Sequence, residues 1–305
     1  MPTRRRALGA LAATALLATA SGGCGALPVS AQIHGIRVVA AENVWGSIAR
    51  AIGGADATVT SIVQSPAQDP HAYEPTAADA RAVAGAQLVI VNGIGYDPWA
   101  PRLLAADPAD GRDVLSVGAL LGLHAGENPH RWYDPADVRR VAAAIAARMS
   151  RIDPHHAGGF DRRLRAFTGA GLAGYQALIT RIRRRYAGTP IGASESIFAL
   201  QAPALGLRLL TPPGLLRAVS EGTELSARDT STAEAQITAR RIRVWVVNAQ
   251  NLTPEVQRLS GLARAAGLPV VAVTETLSPP TASFAQWQTR QLATLAAALH
   301  RATAR

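Results

Sequence analysis

Two histidines occupy similar settings in this chain. His71 lies in the stretch Asp-Pro-His-Ala-Tyr-Glu-Pro at 69–75, and His130 lies in Asn-Pro-His-Arg-Trp-Tyr-Asp-Pro at 128–135. Proline fixes its own φ angle and restricts the residue before it, so each imidazole is presented by stiff backbone. Neutral imidazole is a common metal ligand, and stiff presentation suits that role. Two surface turns that contain histidine are the alternative interpretation.

Two carboxylates occupy corresponding positions in the second half of the chain. Glu195 follows a strand-like run at 191–193, and Glu275 follows an apolar run at 269–273. In an open α/β sheet, the ligand crevice lies at the carboxyl ends of the strands. We therefore expect these carboxylates to face the same cleft as the two histidines.

The order of predicted elements supports that cleft. Strand-like runs alternate with amphipathic helices in both halves, and a long helical stretch separates the halves. This pattern predicts an α/β protein with two βα-repeat lobes, bridged by a single long connector helix, and a metal site in the interlobe cleft. The predicted boundaries are an N-terminal lobe at 35–153, a connector helix at 154–187 and a C-terminal lobe at 188–305.

Composition narrows the function classes. The chain has 305 residues, 17% of them charged, and a net charge of +10. Excess arginine would suit an anionic membrane surface or form an ordinary solvated surface. No nucleic-acid recognition motif accompanies the charge, so nucleic-acid binding is not predicted.

The N-terminus reads as an export signal at 1–24. Arginines at 4–6 precede an apolar stretch at 7–20, and small residues lead to Cys24, the one cysteine of the chain. The pattern resembles a bacterial lipobox, although Ser21 stands where leucine is usual, and it faintly resembles a twin-arginine signal. We expect a lipoprotein with acylated Cys24 on the outer face of the cell membrane, or a periplasmic protein, with a tether at 25–34.

Several longer motifs resemble the zinc/manganese solute-binding proteins of bacterial ABC transporters. Besides the two histidine stretches, they are Asn-Gly-Ile-Gly-Tyr-Asp at 92–97, Ser-Glu-Gly-Thr-Glu at 220–224 and Asn-Ala-Gln-Asn at 248–251. The resemblance implies one divalent metal ion held by His71, His130, Glu195 and Glu275. In that family the third ligand is histidine or glutamate, and the fourth is usually aspartate, so Glu275 departs from the pattern by one methylene.

The same resemblance implies a receptor that binds metal with high affinity and delivers it to an ABC permease with its ATPase. We expect a monomer, although no feature of the sequence specifies the oligomeric state. It implies no enzyme activity. A donor set of two imidazoles and two carboxylates suits zinc, manganese or, less well, iron, and the sequence does not separate them. We expect affinity to fall below about pH 6.5, where histidine becomes protonated.

Two rival functions stay open at this stage: a metal-dependent hydrolase that uses the same cluster, and a surface adhesin with a structural metal. The sequence contains neither a His-Glu-x-x-His motif nor a nucleophile elbow, which argues against the hydrolase. We expect His124, His155 and His156 to lie at the surface, and we assign no role to His300 in the terminal helix. Four polar residues are candidates either for orienting a ligand or for forming a turn: Asn92, Ser220, Glu221 and Asn248.

Overall fold

A computed structural model describes residues 35–68 and 70–304. The predicted signal, the tether and Cys24 lie outside the described residues, as does Asp69. Across the part that the structure describes, no helix combines the length and the apolar character needed to cross a bilayer.

The first lobe is built on a parallel sheet of four strands in the order β2-β1-β3-β4. Its strands are β1 (Ile36–Glu42), β2 (Ala57–Val63), β3 (Leu88–Val91) and β4 (Asp113–Ser116). Its helices are α1 (Asn43–Gly53), α2 (Ala77–Ala84), α3 (Trp99–Ala106), α4 (Val117–Leu121) and α5 (Pro135–Ile152). All four residues of β3 are buried, as expected for a strand covered by helices on both faces.

The second lobe repeats this topology, with the strand order β6-β5-β7-β8 and parallel pairing throughout. Its strands are β5 (Pro190–Ala193), β6 (Arg208–Leu209), β7 (Trp245–Asn248) and β8 (Val270–Val273). Its helices are α8 (Pro213–Glu221), α9 (Ala227–Thr238), α10 (Pro254–Ala265) and α11 (Phe284–Thr303). The prediction of two parallel α/β lobes is confirmed.

A helical connector joins the lobes. It consists of α6 (Ala157–Ala166), a π-helical turn at Phe167–Gly171 and α7 (Ala173–Tyr186). The turn coincides with two glycines, which weaken an α-helix and permit such a bulge. Helix α11 packs along α7 and also contacts α1. The buried core runs from the first sheet through both of these helices into the second sheet.

Local signals in the sequence set several helix starts. The spacing of Thr76 and Asp79 predicts a capping box, and the two residues form one at α2; the Thr253-Pro254 pair likewise predicts a helix start, and Thr253 caps α10. The spacing of Ser231 and Glu234 also predicts a capping box that opens a helix, and this prediction is wrong. Helix α9 begins at Ala227, and the hydroxyl of Ser231 donates to the Ala227 carbonyl from inside the helix.

Candidate metal centre

His130 lies just before a single 3-10 turn that leads into α5, and its ring orientation is fixed by Asn128. The Asn128 amide nitrogen donates to the Ser196 carbonyl at 2.7 Å, so its oxygen faces the imidazole. That oxygen lies 3.0 Å from Nδ1 of His130 and also accepts the His130 backbone N–H. Because the oxygen only accepts, Nδ1 carries the proton, and Nε2 keeps its lone pair for a ligand.

Aromatic and amide side chains enclose the same histidine. The indole N–H of Trp45 donates to Asn92, and the Asn92 amide donates to the Pro129 carbonyl at 3.1 Å. The rings of Tyr96 and Trp132 lie edge-on to the imidazole, with centroids 5.8 and 5.5 Å away. The backbone before His130 and its ring are therefore both held in place, and the predicted role of Asn92 acquires a physical basis.

His71 lies in the loop between β2 and α2 and is half-buried. The indole of Trp99 donates to the Pro70 carbonyl at 3.0 Å, which ties the loop to α3. Tyr73 packs on Trp99 rather than on the site, since its ring centroid lies 5.2 Å from that indole. The Tyr96 ring lies edge-on to the His71 imidazole, with centroids 4.7 Å apart, and therefore packs against both histidines.

The two carboxylates of the second lobe are held from the end of β7 and from the loop that follows it. The Asn251 amide donates to Oε2 of Glu195 at 2.8 Å, and the Asn248 amide donates to Oε1 of Glu275 at 2.6 Å. Oε2 of Glu275 accepts the hydroxyl of Tyr96 at 2.7 Å, across the cleft. Each carboxylate thus has an outer partner, meaning a side chain that hydrogen-bonds to the proposed ligand and orients it without binding the metal itself.

The structure gathers the predicted ligands at the strand ends of both lobes. Donor atoms of His71, His130 and Glu275 all lie within 4.8 Å of one another. Oε1 of Glu195 lies 3.9 Å from Nε2 of His130. Among the described residues, neither of these two buried atoms has a hydrogen-bond partner. Burying a polar atom without a partner is costly, so this pair is suited to receive a cation.

Burial shifts the proton affinities of the site in opposite directions. It lowers the pKa of His130 to about 3, with the charge on His71 as a second cause. Burial, followed by the charge on Glu275, raises the pKa of Glu195 to about 8. At neutral pH the buried histidine is therefore uncharged and Glu195 carries a proton. A cation that binds here must displace that proton.

Glu42 and Asp97, the residue after Tyr96, form a second buried carboxyl pair. Asp97 accepts the backbone N–H groups of Asn92 and Gly93 at 2.8 and 2.7 Å, which fixes the loop after β3. Burial raises the pKa of Asp97 to about 6, and burial together with the charge on Asp97 raises that of Glu42 well above its ordinary value. In the same loop Ile94 has a φ of 62°, which is unusual for a β-branched residue.

Other predicted positions are peripheral. Within the described residues the histidines His124, His155, His156 and His300 are exposed, and His156 pairs with Asp153. Ser220 accepts a hydrogen bond from Ser196, and Glu221 lines the cleft. Sequence reasoning did not single out Tyr96, Asn128, Gln250 or Asn251, although each lies inside a motif that it quoted.

The cleft opens to solvent on two sides of the site. One opening has a volume of about 310 Å³ and reaches His71, Gln250 and Glu275. The other, of about 610 Å³, reaches His71 from the side of Asn128 and Ser196. Either is large enough to admit a hydrated ion.

Two parallel α/β lobes, with imidazoles from one and carboxylates from the other at their strand ends, define a two-lobed binding protein with its site between the lobes. The chain belongs to the family described as zinc-uptake complex component A, periplasmic, which matches residues 38–298.

Individual relatives differ in the metal they are named for. The chain is 30% identical over 146 residues to the manganese-binding lipoprotein MntA of Halalkalibacterium halodurans, covering 46% of this chain and 48% of that protein. It is 26% identical over 253 residues to the iron-binding protein YfeA of Yersinia pestis, covering 79% and 70%. The chain spans about half the length of the first curated relatives that it matches.

Among solved structures, the Mn-bound periplasmic metal binding protein of candidatus Liberibacter asiaticus superposes with a TM-score of 0.71 at 18% identity. The match covers 86% of this chain and 98% of that one. At this identity the likeness establishes the shared fold alone.

Proposed function

We propose that this protein binds one divalent transition-metal ion outside the cytoplasm and delivers it to an ABC permease with its ATPase. The ligands are His71, His130, Glu195 and Glu275. One observation carries the proposal. Nε2 of His130 and Oε1 of Glu195 are buried, lie 3.9 Å apart and have no hydrogen-bond partner among the described residues, and donor atoms of His71 and Glu275 lie within 4.8 Å of a donor atom of His130.

The donor set fits such an ion. Two neutral imidazoles and two ionised carboxylates would supply two negative charges, which balance a divalent cation, and four donors complete a tetrahedral shell. Intrinsic affinity rises from manganese through iron to zinc for a site of this kind. We therefore expect zinc to bind more tightly than manganese, with availability in the cell deciding which ion is carried.

Family membership supports the proposed location and partners. The family is described as a periplasmic zinc-uptake component, and a relative is named a metal-binding lipoprotein. We propose that the chain is exported, is anchored through acylated Cys24 and works as a monomeric receptor rather than an enzyme. An anchored receptor keeps its cargo near the permease, which raises the effective concentration at the point of delivery.

A titration tests the proposal. Full-length protein is stripped with a chelator and titrated separately with zinc and manganese, beside His71→Ala and, as a control, His124→Ala at an exposed histidine. We expect one site for each ion and a loss of affinity of at least about tenfold in His71→Ala, since a ligand should matter no less than an outer partner. The control should bind as the wild type does.

Two results would contradict the proposal. One is the absence of a site tighter than about micromolar for either ion, because a capture protein must work at low concentrations. The other is hydrolysis of a model ester by the metal-loaded protein that disappears in His71→Ala, which would support the hydrolase instead.

A further inference from the structure

Two amide side chains, one from each lobe, make the same pattern of hydrogen bonds on opposite sides of the cleft. Each holds a predicted ligand of its own lobe with its oxygen and donates its N–H across the cleft to a backbone carbonyl of the other lobe. The two residues are Asn128 and Gln250.

Asn128 belongs to the first lobe. Its oxygen accepts the backbone N–H of His130 at 3.1 Å and lies 3.0 Å from the ring Nδ1. Its amide nitrogen donates to the carbonyl of Ser196, the residue after Glu195, at 2.7 Å. One side chain thus connects the backbone of a first-lobe ligand with the backbone next to a second-lobe ligand.

Gln250 does the same from the second lobe. Its oxygen accepts the backbone N–H groups of Glu275 and Thr276 at 2.8 and 3.0 Å. Its amide nitrogen donates to the Pro66 carbonyl at 3.1 Å, in the loop that carries His71. Pro66 and Gln250 both line the smaller opening of the cleft, so this bond crosses its mouth.

We propose that Asn128 and Gln250 are positioning residues that form a two-sided clasp and couple separation of the lobes to the geometry of the metal site. When the lobes part, each residue loses its bond across the cleft and with it part of the restraint on its own ligand. In the closed state all four donor side chains keep the positions that bind the metal. In the open state the restraints on His130 and on Glu275 are weakened together. The clasp therefore sets how fast the metal leaves, and a permease that pulls the lobes apart would accelerate release.

This inference rests on the proposed metal-binding function, and a pair of isosteric substitutions tests it. Asn128→Asp and Gln250→Glu keep the oxygen that holds the ligand and replace the N–H that crosses the cleft by a second oxygen. That oxygen faces a carbonyl and repels it. The added negative charge attracts the cation and would by itself slow release, so faster release cannot come from charge.

The measurement is the dissociation rate of zinc from the loaded full-length protein, followed at pH 8 by stopped-flow capture with an excess of a chelating dye. We expect each substitution to raise this rate roughly threefold to tenfold, the range for one hydrogen bond, with little change in the association rate. The double substitution should multiply the two effects, because both bonds restrain the same opening. Gln257→Glu is the control, since the Gln257 amide donates to the Leu252 carbonyl within one lobe.

The outcomes separate the two proposals. A wild-type protein that binds no zinc overturns the proposed function. A wild type that binds zinc, with single and double variants that release it at the rate of Gln257→Glu, overturns the clasp alone. Slower association with unchanged dissociation also overturns it, because a clasp acts on the closed state. If one variant fails to fold, the other is judged by the same criteria.

Discussion

The two lobes hold the proposed ligands by different means. The histidine side, His71 and His130, is held by packed rings, stiff proline-flanked backbone and the Asn128 amide. The carboxylate side, Glu195 and Glu275, relies on hydrogen bonds from side chains of one loop and from Tyr96. Ring packing fixes a position irrespective of charge, whereas hydrogen bonds to a carboxylate depend on whether it is ionised.

The sides also differ in what they require before a metal can bind. Burial lowers the pKa of His130 to about 3, so this proposed ligand is uncharged at any physiological pH. The pKa of Glu195 is raised to about 8, so this proposed ligand would have to lose a proton first. In the proposed site, the carboxylate side, rather than His130, would therefore limit metal capture near neutral pH. Because of its burial, His130 should not cause the loss of affinity below about pH 6.5 that the ordinary pKa of histidine predicts.

Removing the buried histidine should have the largest effect. His130→Ala deletes Nε2 and leaves Oε1 of Glu195 facing a void. We expect metal affinity to fall by more than about a hundredfold, beyond the range for loss of an outer partner. Competition against a chelator of known affinity measures it, with the exposed His300→Ala as control. A loss below threefold would mean that His130 is packing rather than a ligand.

The second prediction concerns pH and sharpens the difference between the sides. Because Glu195 must be ionised to bind a cation, affinity should rise with pH and approach a plateau above its pKa of about 8. A single required deprotonation changes affinity about tenfold per pH unit below that pKa. Between pH 8 and pH 6 we therefore expect a loss of up to about a hundredfold, measured by chelator competition at each pH.

Glu195→Gln supplies the matched control for this pH dependence. The amide has the shape of the protonated acid but cannot ionise, so its affinity should vary less with pH. The variant and the wild type should converge near pH 6 and separate by pH 9. Parallel curves for the two proteins would contradict the assignment of the proton to Glu195.

The sequence predicts the secondary structure and the two lobes better than it predicts the contacts within the site. Apolar runs such as Leu88–Val91 and caps such as Thr76 report local physics, so they predicted the strands, several helix starts and both lobes. Ser231 shows the limit of such local signals: it has the residue type and spacing of a capping box, but α9 begins at Ala227 and continues through Ser231.

At the site, the sequence predicted residue types and missed their connections. His71, His130, Glu195 and Glu275 were predicted because each follows a recognisable strand or motif. The bond from Tyr96 to Glu275 joins residues 179 positions apart and exists only when the lobes face each other. Similarly, the opposite directions of the Asn128 and Gln250 amides depend on side-chain rotamers that no local pattern encodes.

Tyr96 offers the smallest change and the most direct way to break the comparison, because it belongs to the first lobe but serves a carboxylate of the second. Tyr96→Phe removes the hydroxyl that donates to Glu275 and keeps the ring that packs on both histidines. We expect affinity to fall about tenfold, the lower range for an outer partner. Chelator competition measures it, and Tyr186→Phe, at another buried tyrosine on α7, is the control. Tighter binding would show that the hydroxyl competes with the metal for the carboxylate oxygen. Unchanged binding would show that the carboxylate side needs only its own lobe for support.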